Sequence, residues 1–304
     1  MIQDIGSSIF NIAFKDYSPA KDDHILRFNR EGKILVAADE GRLIFPKGCS
    51  DEEQGRTVYL FSLNDTKYFL PVPEHEDETA ENASEDPLAG SAGNSAGSSA
   101  KNSTEILYAH DGFTFKGVRE LRGVCSNEDI LIVFTAYHLW RWYADNRFCG
   151  RCGRTLSFKH NERALICPKC GNVVYPRINP AVIVGVTNGD KLLITRYKIG
   201  FAHNALVAGF TEIGETLEQT VAREVMEETG IRVKNIRYYK SQPWGMAQDV
   251  LTGFYSDVDG DTEIKMDDVE LKFAEWIKRE DIELQPNDLS LTNEMMKMFK
   301  EGKI

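Results

Sequence analysis

The sequence predicts an α/β sandwich over residues 176–304, preceded by a small four-cysteine module and an α+β domain. Three observations predict it. In the C-terminal half, short apolar runs alternate with stretches whose apolar residues recur at helical spacing. Two Cys-x-x-Cys pairs, Cys149/Cys152 and Cys167/Cys170, bracket a compact module. Upstream, brief β-like runs give way to one long helical stretch. A chain of 304 residues has room for two domains, or for one domain with added modules.

Composition narrows the class. The chain is 42% hydrophobic and 27% charged, as in ordinary globular proteins. It has no run of about 18 apolar residues, so no membrane-spanning helix is expected. The opening "MIQDIGSSIFNIAFKDY" lacks the basic and apolar regions of a signal peptide. The expected location is cytoplasmic, where paired cysteines more often hold metal than form disulfides. Two stretches account for the whole net charge of −11. Residues 74–104 carry seven acids against Lys101, and residues 209–231 carry six glutamates against Arg223. The remainder is neutral, so a nucleotide or RNA partner is not excluded.

In chain order, "HILRF", "KILVA", "RLIF" and "TVYLFSL" read as strands over residues 20–73, broken by "NREG", "DEG" and "SDEEQG" turns. Residues 74–104 are acidic, then rich in Gly, Ser, Ala and Asn. Such a stretch buries too little apolar surface to offset chain entropy, and it reads as a disordered insertion. Its "NAS" at Asn82 and "NST" at Asn102 read as chance matches to a glycosylation signal. "SNEDILIVFTAYHLWRWYADNRF" reads as a helix. Ser126 and Asp129 stand at capping-box spacing, and Ile130, Val133, Phe134, Tyr137 and Trp140 mark one apolar face. These pieces form an N-terminal domain, 1–147, with the insertion looped out. The cysteine module occupies 148–175. Then "PAVIVGV", "KLLITRY", "NIRYYKSQPW", "DVLTGFYSDV" and "FAEWI" read as strands, with a turn and helix over 209–231 and a last helix at "SLTNEMMKMFK".

"CGRC" followed by "CPKC", each second cysteine followed by glycine, suits a tetrathiolate zinc site. Four protein ligands leave no open position, so this zinc is structural. Cys49 and Cys125 lack such partners. Basic residues of the module are partly balanced by Glu162, which favours a folding staple over a dedicated nucleic-acid reader.

The glutamate-rich segment asks for a different ion. Glu224, Glu227 and Glu228 are three and four apart and share a helix face, with Leu217, Val221 and Val225 on the opposite, core-facing stripe. Like charges at this spacing destabilise a helix, and near its C-terminal end the dipole disfavours them further. A solvated acidic face is the plain alternative. A hard divalent cation, Mg²⁺ or Mn²⁺, that bridges carboxylates to substrate phosphates is the other. Spacing favours the cation: Gly209, five residues, Glu215, seven residues, Arg223-Glu224-Val225, one residue, Glu227-Glu228, one residue, Gly230-Ile231.

This spacing matches every fixed position of the Nudix box, and the chain resembles the Nudix hydrolases. With "RFCGRCG", "YPRINPAVI", "VAGFTEIGETLEQTVAREVMEETGI" and "SQPW", it is similar to the NADH pyrophosphatase family, over about residues 118–304. The resemblance implies a Nudix α/β/α sandwich behind a zinc ribbon. It implies hydrolysis of NADH or NAD⁺ to NMN(H) and AMP, and removal of NAD caps from RNA. It also implies that Glu224 and Glu228 bind catalytic Mg²⁺ or Mn²⁺, with Glu227 as a further ligand or general base. The Ala208 carbonyl and Glu270, six positions before Trp276, would complete the metal set. Glu162, Tyr175, Gln242, Pro243, Trp244, Gln248, Thr292 and Arg119 match substrate contacts. Phe210 would stack on the nicotinamide from a partner subunit, implying a homodimer. Arg223 is expected to orient the glutamates, and His203 to be structural. After "SQPW" the family continues Pro-Phe-Pro-Gln-Ser, whereas this chain has Gly245-Met246-Ala247-Gln248-Asp249, and Thr292 replaces a small alanine. Those departures open two further readings: a Nudix hydrolase for ADP-ribose or dinucleoside polyphosphates, and a non-enzymatic nucleotide or RNA sensor.

Overall fold

The structure, a computed structural model, describes residues 1–72, 112–198 and 203–304. The insertion at 74–104, with Asn82 and Asn102, lies outside the described residues. Residue contacts divide the chain into two compact units. One comprises Phe10–Gly117 and Leu139–Pro176, and the other Met1–Ile9, Val118–His138 and Arg177–Ile304.

The first unit holds strands β1 (Phe10–Asn11), β2 (His24–Ile25), β3 (Ile34–Asp39), β4 (Arg42–Ile44), β5 (Thr57–Leu63), β6 (Thr66–Pro71) and β7 (Thr114–Lys116). They form sheets in the orders β1-β5-β6-β2 and β4-β3-β7. The β5–β6 pairing runs to Leu63 opposite Thr66, and the tight turn between them places Asn64 at φ 52°. Asn tolerates this left-handed conformation, which suits the twist of a two-residue hairpin. "SDEEQG", expected as a turn, contains the short helix α1 (Asp51–Gln54). The Glu53 carboxylate accepts the Ser50 N–H at 3.0 Å and pairs with buried Arg27 at 2.7 Å, which stabilises that helical turn. Strands β8 (Ser157–Phe158), β9 (Leu165–Ile166) and β10 (Val173–Val174) make the ribbon sheet, ordered β10-β9-β8.

The long helix α2 spans Asn127–Asp145, and the Asp129 N–H donates to Ser126 Oγ at 3.2 Å, as the capping spacing predicts. Ile130, Val133, Phe134 and Trp140 are buried. So are Leu131, Ile132, Ala136, Leu139, Trp142 and Tyr143, so the helix is enclosed on more than the one expected face.

The second unit is the expected sandwich. Its strands are β11 (Asn179–Asn188), β12 (Lys191–Tyr197), β13 (Val207–Phe210), β14 (Val233–Trp244), β15 (Asp249–Val258) and β16 (Leu271–Lys278). Helix α3 spans Leu217–Thr229 and α4 spans Leu291–Lys300. The sheet order is β14-β15-β11-β12-β16, with β13 also paired to β11. Strands β11 and β15 run parallel, and the other pairs are antiparallel. Alternation along β11 serves both layers. Val182, Val184 and Val186 pack with Val221 and Val225 of α3. Ala181 and Ile183 share a core with Leu291, Met295, Met296 and Phe299 of α4. On outer strand β14 the register slips between Lys234 and Arg237 and again between Tyr238 and Lys240. Among the described residues, no helix is long and apolar enough to cross a membrane.

Candidate active site

Strand β13 and helix α3 position the glutamates. The helix is capped by a reciprocal pair: Thr216 Oγ1 accepts the Gln219 N–H at 3.3 Å, and Gln219 Oε1 accepts the Thr216 N–H at 2.8 Å. It ends at Gly230, in the left-handed conformation. Within this frame the three glutamates are not equivalent. The Glu227 side chain is 60% exposed and that of Glu224 only 14%. Glu228 is buried at 4% exposure. The 3.6-residue period puts Glu228 almost in line with Val221, so it falls on the core side rather than on the face opposite the apolar stripe.

Arg223 ties this region together. Its Nε and Nη2 donate to the two oxygens of Glu215 at 2.6 and 2.9 Å, a bidentate pair. Nη1 donates to Glu224 Oε1 at 2.7 Å and to Glu227 Oε2 at 2.9 Å, and Nη2 also reaches the Phe210 carbonyl at 2.9 Å. Arg223 holds the Glu215 carboxyl down at about 2, so Glu215 is a charged anchor for the guanidinium. One side chain thus fixes two glutamates of the helix relative to the end of β13.

Burial pushes Glu228 up to about 8, and the charges of Glu224, Glu270 and Asp267 push in the same direction. Burial likewise raises Glu224, with Glu227 and Glu270 adding to it. Glu270, from the segment before β16, is therefore electrostatically part of this cluster, and so is Asp267, which the sequence did not single out. The Asp267 N–H donates to the Glu228 carbonyl at 2.9 Å. Tyr197, also not anticipated, donates to Glu228 Oε1 at 3.1 Å and accepts the Ala208 N–H at 3.2 Å. Its hydroxyl lies 3.4 Å from the Ala208 carbonyl oxygen. The donor set is all hard oxygen: a backbone carbonyl and several carboxylates that disfavour each other's ionisation. Mg²⁺ or Mn²⁺ fits such a set and would relieve that repulsion.

Among the described residues, the cysteines are the group of potential metal ligands whose atoms all lie within 4.8 Å of one another. Cys149 and Cys170 sulfurs are 3.6 Å apart, and those of Cys152 and Cys167 are 3.5 Å apart. A disulfide needs about 2.05 Å, whereas a tetrahedral Zn–S length of about 2.3 Å puts sulfurs roughly 3.8 Å apart. Burial opposes ionisation of Cys167, but the backbone N–H groups of Cys170 and Lys169 outweigh it and bring the thiol down to about 6. These thiols fit zinc.

The expected substrate residues are distributed over both units. In the first unit Tyr175, 56% exposed, donates to Glu162 Oε1 at 3.1 Å, and Lys159 pairs with the same carboxylate. In the second, Phe210 is exposed at the end of β13, Arg119 and Pro243 are exposed, and Thr292 lies in the first turn of α4. Gln242, expected among the substrate contacts, is fully enclosed. Its Nε2 donates to the Leu289 carbonyl at 2.8 Å and to Gln3 at 3.1 Å, and its Oε1 accepts the Leu291 N–H at 2.7 Å. That side chain braces the entry to α4. The Trp244 ring packs edge-on against Phe134 and under the Arg122 guanidinium.

The glycine that opens the altered segment after "SQPW" meets a steric constraint. A Cβ on Gly245 would lie 2.0 Å from the Phe134 carbonyl oxygen of α2. No residue with a Cβ, proline included, fits there without moving that helix. Gly245→Ala is expected to destabilise the unit by roughly 2–3 kcal/mol, read as a lowered urea midpoint. Beyond it, Gln248 sits at φ 58° and is held by Arg177 Nη2 at 2.5 Å. Asp249 is buried, its Oδ1 has no hydrogen-bond partner among the described residues, and burial pushes its carboxyl up to about 7.

The fold and these two sites define a class. Residues 177–299 match the family described as NUDIX domain, and residues 144–175 match the NADH pyrophosphatase zinc ribbon domain. The chain carries a Nudix domain directly behind a zinc ribbon of the NADH pyrophosphatase type. Among individual proteins it is similar to the NAD-capped RNA hydrolase NudC of Klebsiella pneumoniae, 44% identical over 151 residues, which is 49% of this chain and 58% of that protein. The protein of the same name from Escherichia coli is 42% identical over 151 residues, with the same coverage. The chain thus spans little more than half the length of the curated relatives it matches. A solved NUDIX hydrolase from Nitrosomonas europaea aligns with 52% of this chain and 92% of its own, at 25% identity and a TM-score of 0.46.

Proposed function

We propose that the protein hydrolyses the pyrophosphate bond of NADH and NAD⁺ to NMN(H) and AMP, and cleaves the same bond in NAD-capped RNA. The observation that carries this is the constellation in which Arg223 holds Glu224 and Glu227 beside the buried Glu228 and the Ala208 carbonyl. The adjoining ribbon of NADH pyrophosphatase type and the relatives named as NAD-capped RNA hydrolases support the choice of substrate. Ala208, Glu224, Glu228 and Glu270 would hold Mg²⁺ or Mn²⁺, which when bound supplies Lewis-acid neutralisation of the pyrophosphate oxygens. In the reaction, water adds to one phosphorus, the bridging P–O bond breaks, and the proton of the attacking water goes to Glu227. Arg223 engages Glu227 Oε2, which leaves Oε1 as the accepting atom. Glu162 and Tyr175 would bind the nucleotide. Phe210, half-exposed, would stack on the nicotinamide in a second copy's site, within a cytoplasmic homodimer.

Hydrolysis of ADP-ribose or dinucleoside polyphosphates is the second reading. It is favoured by the segment Gly245–Asp249, where a buried acid stands in place of the family's serine. Product analysis with NADH, NAD⁺ and ADP-ribose in parallel, with Mg²⁺ or Mn²⁺ and a Glu227→Gln control, separates the two. Fastest release of AMP and NMNH from NADH is expected. Faster cleavage of ADP-ribose would assign the second reading, and ligand binding without turnover of any substrate would leave only a sensor.

A further inference from the structure

Tyr197 lies at the end of β12, where the pairing with β16 slips between Arg196 and Tyr197. The slip pairs Tyr197 with Leu271, and the next residue, Lys198, donates its N–H to the Glu270 carbonyl at 3.0 Å. The phenol oxygen meets two of the residues assigned to the cation, Ala208 and Glu228. It accepts the Ala208 N–H at 3.2 Å, donates to Glu228 Oε1 at 3.1 Å, and lies 3.4 Å from Glu228 Oε2. Since the Ala208 N–H can only donate, the hydroxyl proton is directed away from it, toward Glu228 and the Ala208 carbonyl. Among the described residues, Tyr197 is the hydrogen-bond donor to this carboxylate, which is buried among other acids.

We infer that Tyr197 is a positioning residue for the divalent cation. Its hydroxyl fixes Glu228 against the Ala208 peptide, so that a carboxylate oxygen and a backbone carbonyl from two different elements present together. This inference rests on the reading of Ala208 and Glu228 as ligands. A hydrogen bond to the outer side of a ligating carboxylate orients it and tunes its basicity, and loss of such a partner typically weakens metal binding about 10–100-fold. Phe keeps the ring and removes only the hydroxyl.

The test is titration of the zinc-loaded, full-length protein with Mn²⁺ alone, followed by the electron paramagnetic resonance signal of free Mn²⁺. Wild type, Tyr197→Phe and Glu228→Gln are compared, with far-UV circular dichroism as the check on folding. Tyr197→Phe is expected to raise the Mn²⁺ dissociation constant about 10–100-fold at an unchanged spectrum. It should also lower kcat more than it alters KM for the dinucleotide. If Glu228→Gln loses Mn²⁺ binding but Tyr197→Phe binds as wild type does, the role of Tyr197 is overturned. If Glu228→Gln itself binds as wild type does, the metal assignment fails instead. Should the Phe variant not fold, wild-type protein with ¹³C-labelled tyrosine decides: Mn²⁺ should broaden the Tyr197 resonance first, and its persistence at saturation would overturn the proposal.

Discussion

Gly209→Ala is expected to reduce the proposed dinucleotide hydrolysis by at least about a hundredfold while the protein stays folded. The reason is spatial. Gly209 lies in β13 opposite Val182, and the Glu224 carboxylate packs directly over it. A Cβ there would sit 2.0 Å from Glu224 Cδ and 2.1 and 2.2 Å from its oxygens. The strand cannot retreat from the sheet, so the carboxylate must swing away by more than about 1 Å, a displacement large enough to cost roughly 10²-fold in an ordered site. Its bond to Arg223 Nη1 would stretch with it, loosening Glu227 as well. Steady-state turnover of NADH measures the loss, and circular dichroism verifies the fold. Near-normal turnover would mean that Glu224 does not act from the position described.

Removal of zinc is expected to unfold the ribbon. Strands β8, β9 and β10 are two residues long each, and strands this short have no independent stability. Burial of Leu165 and Ala164 adds little apolar area. Zinc bound by four thiolates contributes on the order of 10–16 kcal/mol in small modules of this kind. A strong chelator, or Cys167→Ser, should release one zinc per chain and open residues 148–175 to proteolysis. Loss of the Tyr175–Glu162 hydrogen bond should follow, because both residues depend on the ribbon strands for their placement. A ribbon that resists protease after complete zinc release would show that packing alone holds it.

Much of this was legible in the sequence, for reasons that differ by residue. The cysteine pairs and the Glu224/Glu227/Glu228 spacing carry their chemistry locally, so a linear reading finds them. Arg223 lies between glutamates and is likewise readable. Tyr197 and Asp267 reach Glu228 from distant positions, through a sheet register and a loop that no short-range spacing encodes. Strand β13 escaped notice because four residues with a central Gly show no β period. The burial of Glu228 was hidden by the expectation that charge faces water. Gly245 read as a lost proline, and only the approach of the Phe134 carbonyl shows why a residue without a side chain stands there.

The two slips along β14 have a consequence for how the protein behaves in concentrated solution. A straight outer strand offers its free backbone groups as a template for another chain, the first step toward fibres and insoluble aggregates. In β14 the breaks at Lys234/Arg237 and Tyr238/Lys240, with Asn235 at φ 50°, interrupt any long run of matching amides. Lys234, Arg237 and Lys240 add bulky charged pairs with Asp259, Asp257 and Glu294 along the same strand, and Pro243 removes a donor near its end. The rim of the sheet is thereby made a poor partner for its own kind.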